Sequence, residues 1–131
     1  MRIAIRRRRD AAFVVRVLLV DDDAGYRRAL TAFLDASYDI DVVGDTGDGD
    51  EAVALARRLD PDAAVIDVAM PRVSGLDLAG RIRDVVPRVA IVLVTGDVGG
   101  IDTGRADALG ARLLHKGDPL PVENALRTLT R

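Results

Sequence analysis

From Arg16 onward, apolar residues occur in two spacings that take turns along the chain. Short runs rich in β-branched residues appear at Val17–Val20, Ile40–Val43, Ala63–Ile66, Val89–Val94 and Arg112–His115. They lack the alternation of a strand with one wet face, so they read as parallel strands buried on both faces. Between them, apolar residues recur at helical spacing. Tyr26, Leu30, Phe33 and Leu34 make one face; Ala52, Leu55, Ala56 and Leu59 a second. Leu76, Ala79, Ile82 and Val86 make a third, and Val122, Ala125, Leu126 and Leu129 a fourth. Pro61, Pro87 and Pro119 fall between these segments, where a missing N–H costs nothing. Asp48 or Asp50 is placed to cap the second helix, and Ser74 the third. Gly96 to Leu109 breaks the rhythm: Gly99, Gly100 and Gly104 each lower helix propensity by about 1 kcal/mol relative to alanine. Only a short or mobile helix near Thr103–Leu109 is expected there.

Five alternating strand–helix units, joined by right-handed crossovers, imply an α/β fold. The expected architecture is an open five-stranded parallel sheet, flavodoxin-like in its 2-1-3-4-5 order, with helices on both faces. The 131 residues suit one such domain, over 16–131. Residues 1–15 fit it poorly. They carry the basic run Arg6 to Arg9 and no burying periodicity, and are expected to be a disordered extension or an overextended start.

Composition narrows the function classes. Hydrophobic residues at 49% and charged residues at 31% are ordinary for a globular protein and exclude bulk disorder. The absence of cysteine excludes disulfides and thiolate metal sites. No apolar run approaches the roughly 20 residues that cross a bilayer, and no signal peptide is legible, so a cytoplasmic protein without membrane contact is expected. A net charge of −2 and the lack of a basic recognition helix argue against nucleic-acid binding by this chain. Of 19 basic residues only Lys116 is lysine, so that position is a candidate for a compact ammonium rather than a guanidinium.

Ligands of such sheets bind at the C-terminal strand ends, near the switch in strand order. Asp21 and Asp22 end the first strand, Asp67 the third, Thr95 the fourth and Lys116 the fifth. Crowded carboxylates repel by roughly 4 kcal/mol per pair at 4 Å and an effective dielectric of 20. A hard divalent cation such as Mg²⁺ removes that cost and prefers oxygen ligands. A carboxylate beside it can attack a phosphoryl donor, while an ammonium and a hydroxyl hold the transferred oxygens. Singly each residue has a bland role as helix cap, turn residue or strand end; together they fit acyl-phosphate formation and hydrolysis.

The same residues carry a family resemblance from about Arg16 to Arg131. Val17-Leu-Leu-Val-Asp-Asp22, Pro61-Asp62, Asp67-Val-Ala-Met-Pro71, Ser74-Gly75-Leu76, Val94-Thr95-Gly96, Gly110-Ala111 and Lys116 resemble the receiver domain of bacterial two-component response regulators. The first-strand wording is most similar to the subfamily with helix-turn-helix output domains. The resemblance implies that Asp67 is phosphorylated by a sensor histidine kinase. It implies Mg²⁺ ligation by Asp21, Asp22, Asp67 and the Ala69 carbonyl, and phosphoryl binding by Thr95 and Lys116. It further implies homodimerisation or effector docking through the face of the fourth helix, fifth strand and fifth helix, with weak intrinsic autophosphorylation and autodephosphorylation rather than enzyme activity.

The chain departs from the family pattern at the output side. Leu113 stands where an aromatic switch residue is usual, and Gly110 to Lys116 is one residue short, which threatens to turn Lys116 away from the crevice. Small residues flank the site at Ala69 and Gly96, so fast hydrolysis of the phosphorylated state is expected. The chain ends where a fifth helix would end, with no output domain legible. An alternative is a pseudo-receiver that scaffolds partners without being phosphorylated. A phosphohydrolase is disfavoured, because Ala69 occupies the place of its second acid.

Overall fold

The structure, a computed structural model, describes residues 13–130. The basic run Arg6 to Arg9 lies outside the described residues. Five strands, β1 (Val15–Val20), β2 (Ile40–Thr46), β3 (Ala63–Asp67), β6 (Ala90–Thr95) and β7 (Arg112–His115), form a parallel sheet in the order β2-β1-β3-β6-β7. Counting only these strands, that is the expected 2-1-3-4-5 order. The helices are α1 (Ala24–Asp35), α2 (Gly49–Leu59), α3 (Gly75–Val85), α4 (Thr103–Ala108) and α5 (Leu120–Leu129). No helix among the described residues is long and apolar enough to cross a membrane.

The unbroken apolar runs have a direct explanation. Successive side chains leave a strand on opposite sides, and here both sides are covered. Leu18 and Val20 of β1, Ala64 and Ile66 of β3, and Ile91 and Leu93 of β6 pack with α2 and α3. Their neighbours Val17, Leu19, Ala63, Val65, Val92 and Val94 pack with α1 and α5. Asp48 caps α2 by accepting the Asp50 N–H, and Ser74 caps α3 by accepting the Leu76 N–H. The glycine-rich segment yields a 3₁₀ turn at Val98–Gly100 and the six-residue α4, capped by Asp102.

Several elements differ from the sequence reading. The first strand starts two residues early, because Val15 pairs with Ile40 and, like Val14, is buried. The second strand continues three residues past Val43. A bulge there lets β1 move from Val42 to Gly44 between Val17 and Leu18, an irregularity that an edge strand tolerates. Phe33 is not in the core; it is 36% exposed, at the margin of a stripe whose buried members are Leu30 and Leu34. A small antiparallel ribbon of β4 (Ala69–Met70) and β5 (Val73–Ser74) follows β3, turning at Arg72, whose φ is 72°.

At the opposite end of the sheet, α5 is clasped to the α1–β2 loop. Arg127 Nε and Nη2 bind the two carboxylate oxygens of Asp39 at 2.8 and 3.0 Å, and Nη2 also meets Glu123 at 2.6 Å. Ser37 donates to the same Glu123 oxygen at 2.9 Å. The Asp39 bonds, followed by those to Glu123, outweigh burial and hold the Arg127 guanidinium in its charged form.

Candidate functional site

The C-terminal strand ends gather the charged residues. Asp21 leaves β1 with its N–H bonded to the Thr46 carbonyl at 3.0 Å, and its Oδ1 accepts the Asp23 N–H at 2.8 Å. Asp23 then caps α1 by accepting the Tyr26 N–H at 3.1 Å. The acidic triplet therefore divides its work: Asp23 starts the helix, while Asp21 is buried and Asp22 is exposed beside it. Arg27 secures the turn by donating Nη1–H to the Asp21 carbonyl at 2.5 Å and Nε–H to Asp45 at 3.3 Å.

Asp67 is the last residue of β3 and is 4% exposed. Its Oδ1 accepts the Ala69 N–H at 3.0 Å, which fixes the carboxylate's rotation. Carboxylate oxygens of Asp21, Asp22 and Asp67 lie within 4.8 Å of one another. The structure thus brings together acids separated by more than forty positions in sequence.

Lys116 joins them despite the short approach to it. Register along β6 and β7 runs through to Thr95 opposite His115, and the Lys116 N–H then donates to the Thr95 carbonyl at 2.8 Å. The side chain reaches the crevice, with Nζ 2.7 Å from Asp21 Oδ2 and 3.4 Å from Asp67 Oδ2. The feared turn away from the crevice does not occur. The contact to Asp21 is an ion pair, and the buried Asp21 Oδ2 has no partner besides that ammonium.

Burial pushes the Asp21 carboxyl above the usual carboxylate range; Lys116 and the Asp23 N–H oppose that, and the Asp67 charge reinforces it. Burial alone would lower the Lys116 ammonium, but Asp21 and Asp67 together hold it above its ordinary value. The donor set suits a hard cation: three carboxylates at one point, with a buried oxygen partnered only by an ammonium.

The remaining expected residues stand apart. Thr95 ends β6 and is buried, but its hydroxyl serves its own loop, accepting the Asp97 N–H at 3.1 Å and lying 3.4 Å from the Asp97 carbonyl. Ala69 is exposed, two residues beyond Asp67, and its amide is what touches the site. The sequence reading missed Tyr26 and Arg27 as site residues. Tyr26 was assigned to the apolar face of α1; its place in the first turn, right after the acidic triplet, was the signal available.

A response regulator receiver domain family model matches residues 17–116, from within β1 to Lys116. The chain belongs to that family. A protein-glutamate methylesterase/protein-glutamine glutaminase of Geobacter metallireducens is 45% identical over 65% of this receiver chain and 24% of its own length. The transcriptional regulatory protein LiaR of Bacillus subtilis is 38% identical over 63% of this chain and 39% of its own. The chain therefore spans about a quarter to two-fifths of these curated relatives. A solved two-component response regulator of the LuxR family from Aurantimonas sp. superposes with a TM-score of 0.80 at 26% identity, covering 89% of this chain and 85% of that one. A receiver domain of this family is a signalling module controlled by phosphorylation.

Proposed function

We propose that Asp67 is the phosphoacceptor of a Mg²⁺-dependent switch, charged by a partner histidine kinase and read by an effector or a second receiver. The observation that carries this reading is the convergence of Asp21, Asp22, Asp67 and Lys116 at one sheet edge. Asp21, Asp22 and Asp67, with the Ala69 carbonyl, would hold the cation, which when bound neutralises the crowded acids and the phosphoryl oxygens. Asp67 is oriented by the Ala69 amide, leaving Oδ2 to attack phosphorus. The Oδ2–P bond forms as the donor P–N bond breaks, and the imidazole leaves with the electron pair and takes a proton from solvent. Lys116 then trades its carboxylate partners for phosphoryl oxygens. Thr95 would do the same after releasing Asp97, which would draw the Gly96 loop inward and carry the signal towards α4, β7 and α5.

A cytoplasmic setting fits a kinase partner of this kind. Nucleic acid would be reached through an output domain or effector rather than by this chain. One observation favours the scaffold reading: Leu113, half-buried in β7, packs aliphatically where the family's switch aromatic would stand. The test is intact mass after incubation with Mg²⁺ and acetyl phosphate. One added phosphoryl group, absent when EDTA is present and removed by hydroxylamine, is the expected result; no gain by the folded protein overturns the reading. Decay of that mass should be fast, because an added Cβ at Gly96 would meet nothing within 4 Å and Ala69 is exposed, so water has access. A half-life of many hours would contradict it.

A further inference from the structure

Lys116 needs more than opposite charge to stay aimed. Its stem carries about 2 kcal/mol of rotamer entropy. It follows an edge strand, and its side chain is one-fifth exposed. Asp21 and Asp67 attract the ammonium at 2.7 and 3.4 Å, but charge alone does not select one rotamer of so long a stem. A wall for it comes from α1: the Tyr26 ring lies beneath Nζ, with 4.6 Å from the nitrogen to the ring centroid. The ring is placed firmly. The Tyr26 N–H is held by Asp23, and the side chain packs against the apolar layer that includes Leu30, Val65 and Val94.

We infer that Tyr26 is a positioning residue: its ring face holds the Lys116 ammonium between Asp21 and Asp67, aimed at the incoming phosphoryl oxygens. This deepens the phosphoacceptor reading and rests on it. Plain core packing accounts for Tyr26 less well. The chain's other aromatic residues, Phe13, Phe33 and Tyr38, are exposed on its surface, and there is no tryptophan. The single half-buried aromatic is the one under the site's ammonium. It supplies a fixed surface beneath Nζ, in the crevice where Lys116 meets Asp21 and Asp67.

The ring face is what acts, so the phenol oxygen is dispensable. Cation–π attraction at a partly desolvated site supports a loss of about fivefold in the rate of phosphorylation by acetyl phosphate for Tyr26→Leu, with Tyr26→Phe restoring it to within about twofold. In a Lys116→Met background the Tyr26→Leu change should have no further effect. Equal losses in both backgrounds, or a Tyr26→Phe protein as slow as Tyr26→Leu, would overturn the inference. Should Tyr26→Leu fail to fold by circular dichroism, Tyr26→Met takes its place in the cycle. A second readout needs no phosphorylation: in a Tyr38→Phe protein Tyr26 is the sole tyrosine, and its fluorescence should change when Lys116 becomes methionine. Unchanged emission overturns the contact. A wild-type protein that takes up no phosphoryl group refutes the phosphoacceptor reading instead, leaving the emission to decide the Tyr26–Lys116 contact by itself.

Discussion

Asp67→Asn is expected to take up no phosphoryl group and, without divalent cation, to melt higher than the wild-type protein. The amide oxygen can still accept the Ala69 N–H, so the turn after β3 keeps its hydrogen bond. What disappears is charge. Asp67 faces two like charges, Asp21 and Asp22, within 4.8 Å and one opposite charge, Lys116, at 3.4 Å. It is also almost fully buried, so its desolvation opposes folding. Two repulsions and desolvation outweigh the one longer attraction, and Lys116 keeps its closer contact to Asp21. Allowing for screening at exposed Asp22, the net gain is about 1 kcal/mol, or roughly 4 °C for a domain of this size. Mg²⁺ should invert the order, since binding to the folded state alone stabilises by RT ln(1 + [L]/Kd) and the variant lacks a ligand. pH gives the same argument a sign. Asp21 has a raised folded pKa, so the stability it contributes is present below the ordinary carboxylate value of 3.8 and lost as pH rises through the raised one. That loss should be shallower in Asp67→Asn, where one of the charges raising Asp21 is gone. Melting curves in EDTA and in Mg²⁺ decide it: a variant that melts lower in EDTA refutes the crowding on which the site's chemistry depends.

How legible the site was depended on what determined each residue's place. Strand ends are set by hydrophobic runs and by sheet topology, and both can be read in one dimension. The convergence of Asp21, Asp67 and Lys116 at one sheet edge is therefore legible in the sequence. Backbone conditions that depend on partners were not legible: β1 begins at Val15 because of Ile40, and β2 extends to Thr46 because a bulge at the edge is tolerated. The β4–β5 ribbon is two residues per strand, too short for any period to show. Phe33 was misplaced because helical spacing counts apolar residues but cannot tell the centre of a stripe from its margin. Thr95 shows the same limit for chemistry. The residue type fits a phosphoryl ligand, yet its hydroxyl is occupied by Asp97, a local bond that motif reading cannot anticipate. Tyr26 was hidden by its dual nature, since an amphipathic ring satisfies the apolar pattern of α1 while its face does something else.

Gly75→Ala should be the most destructive small substitution in the fold. Gly75 opens α3 in an ordinary conformation, so the reason for glycine is space rather than dihedral angle. A Cβ there would sit 2.4 Å from the Asp67 carbonyl oxygen and 2.6 Å from Val68 Cα. Both are backbone atoms of the segment that carries the candidate phosphoacceptor, and backbone cannot rotate aside as a side chain can. Relief requires α3 to slide away from β3, breaking the Gly75 N–H bond to the Val68 carbonyl and unpacking Leu76 and Leu78 from the core. Overpacking of this kind costs about 3 kcal/mol, more than the helix propensity of roughly 1 kcal/mol that alanine returns. The displaced backbone also carries the Asp67 carboxylate with it, and misplacement by about 1 Å is enough to cost on the order of a hundredfold in rate. Gly80 is the control on the same helix: an added Cβ meets nothing within 4 Å, so Gly80→Ala should raise the melting temperature and leave phosphoryl uptake unchanged. Opposite shifts from the same chemical change on one helix would locate the constraint at the α3–Asp67 contact. Equal shifts would mean that helix propensity alone governs both glycines and that α3 does not hold Asp67 in place.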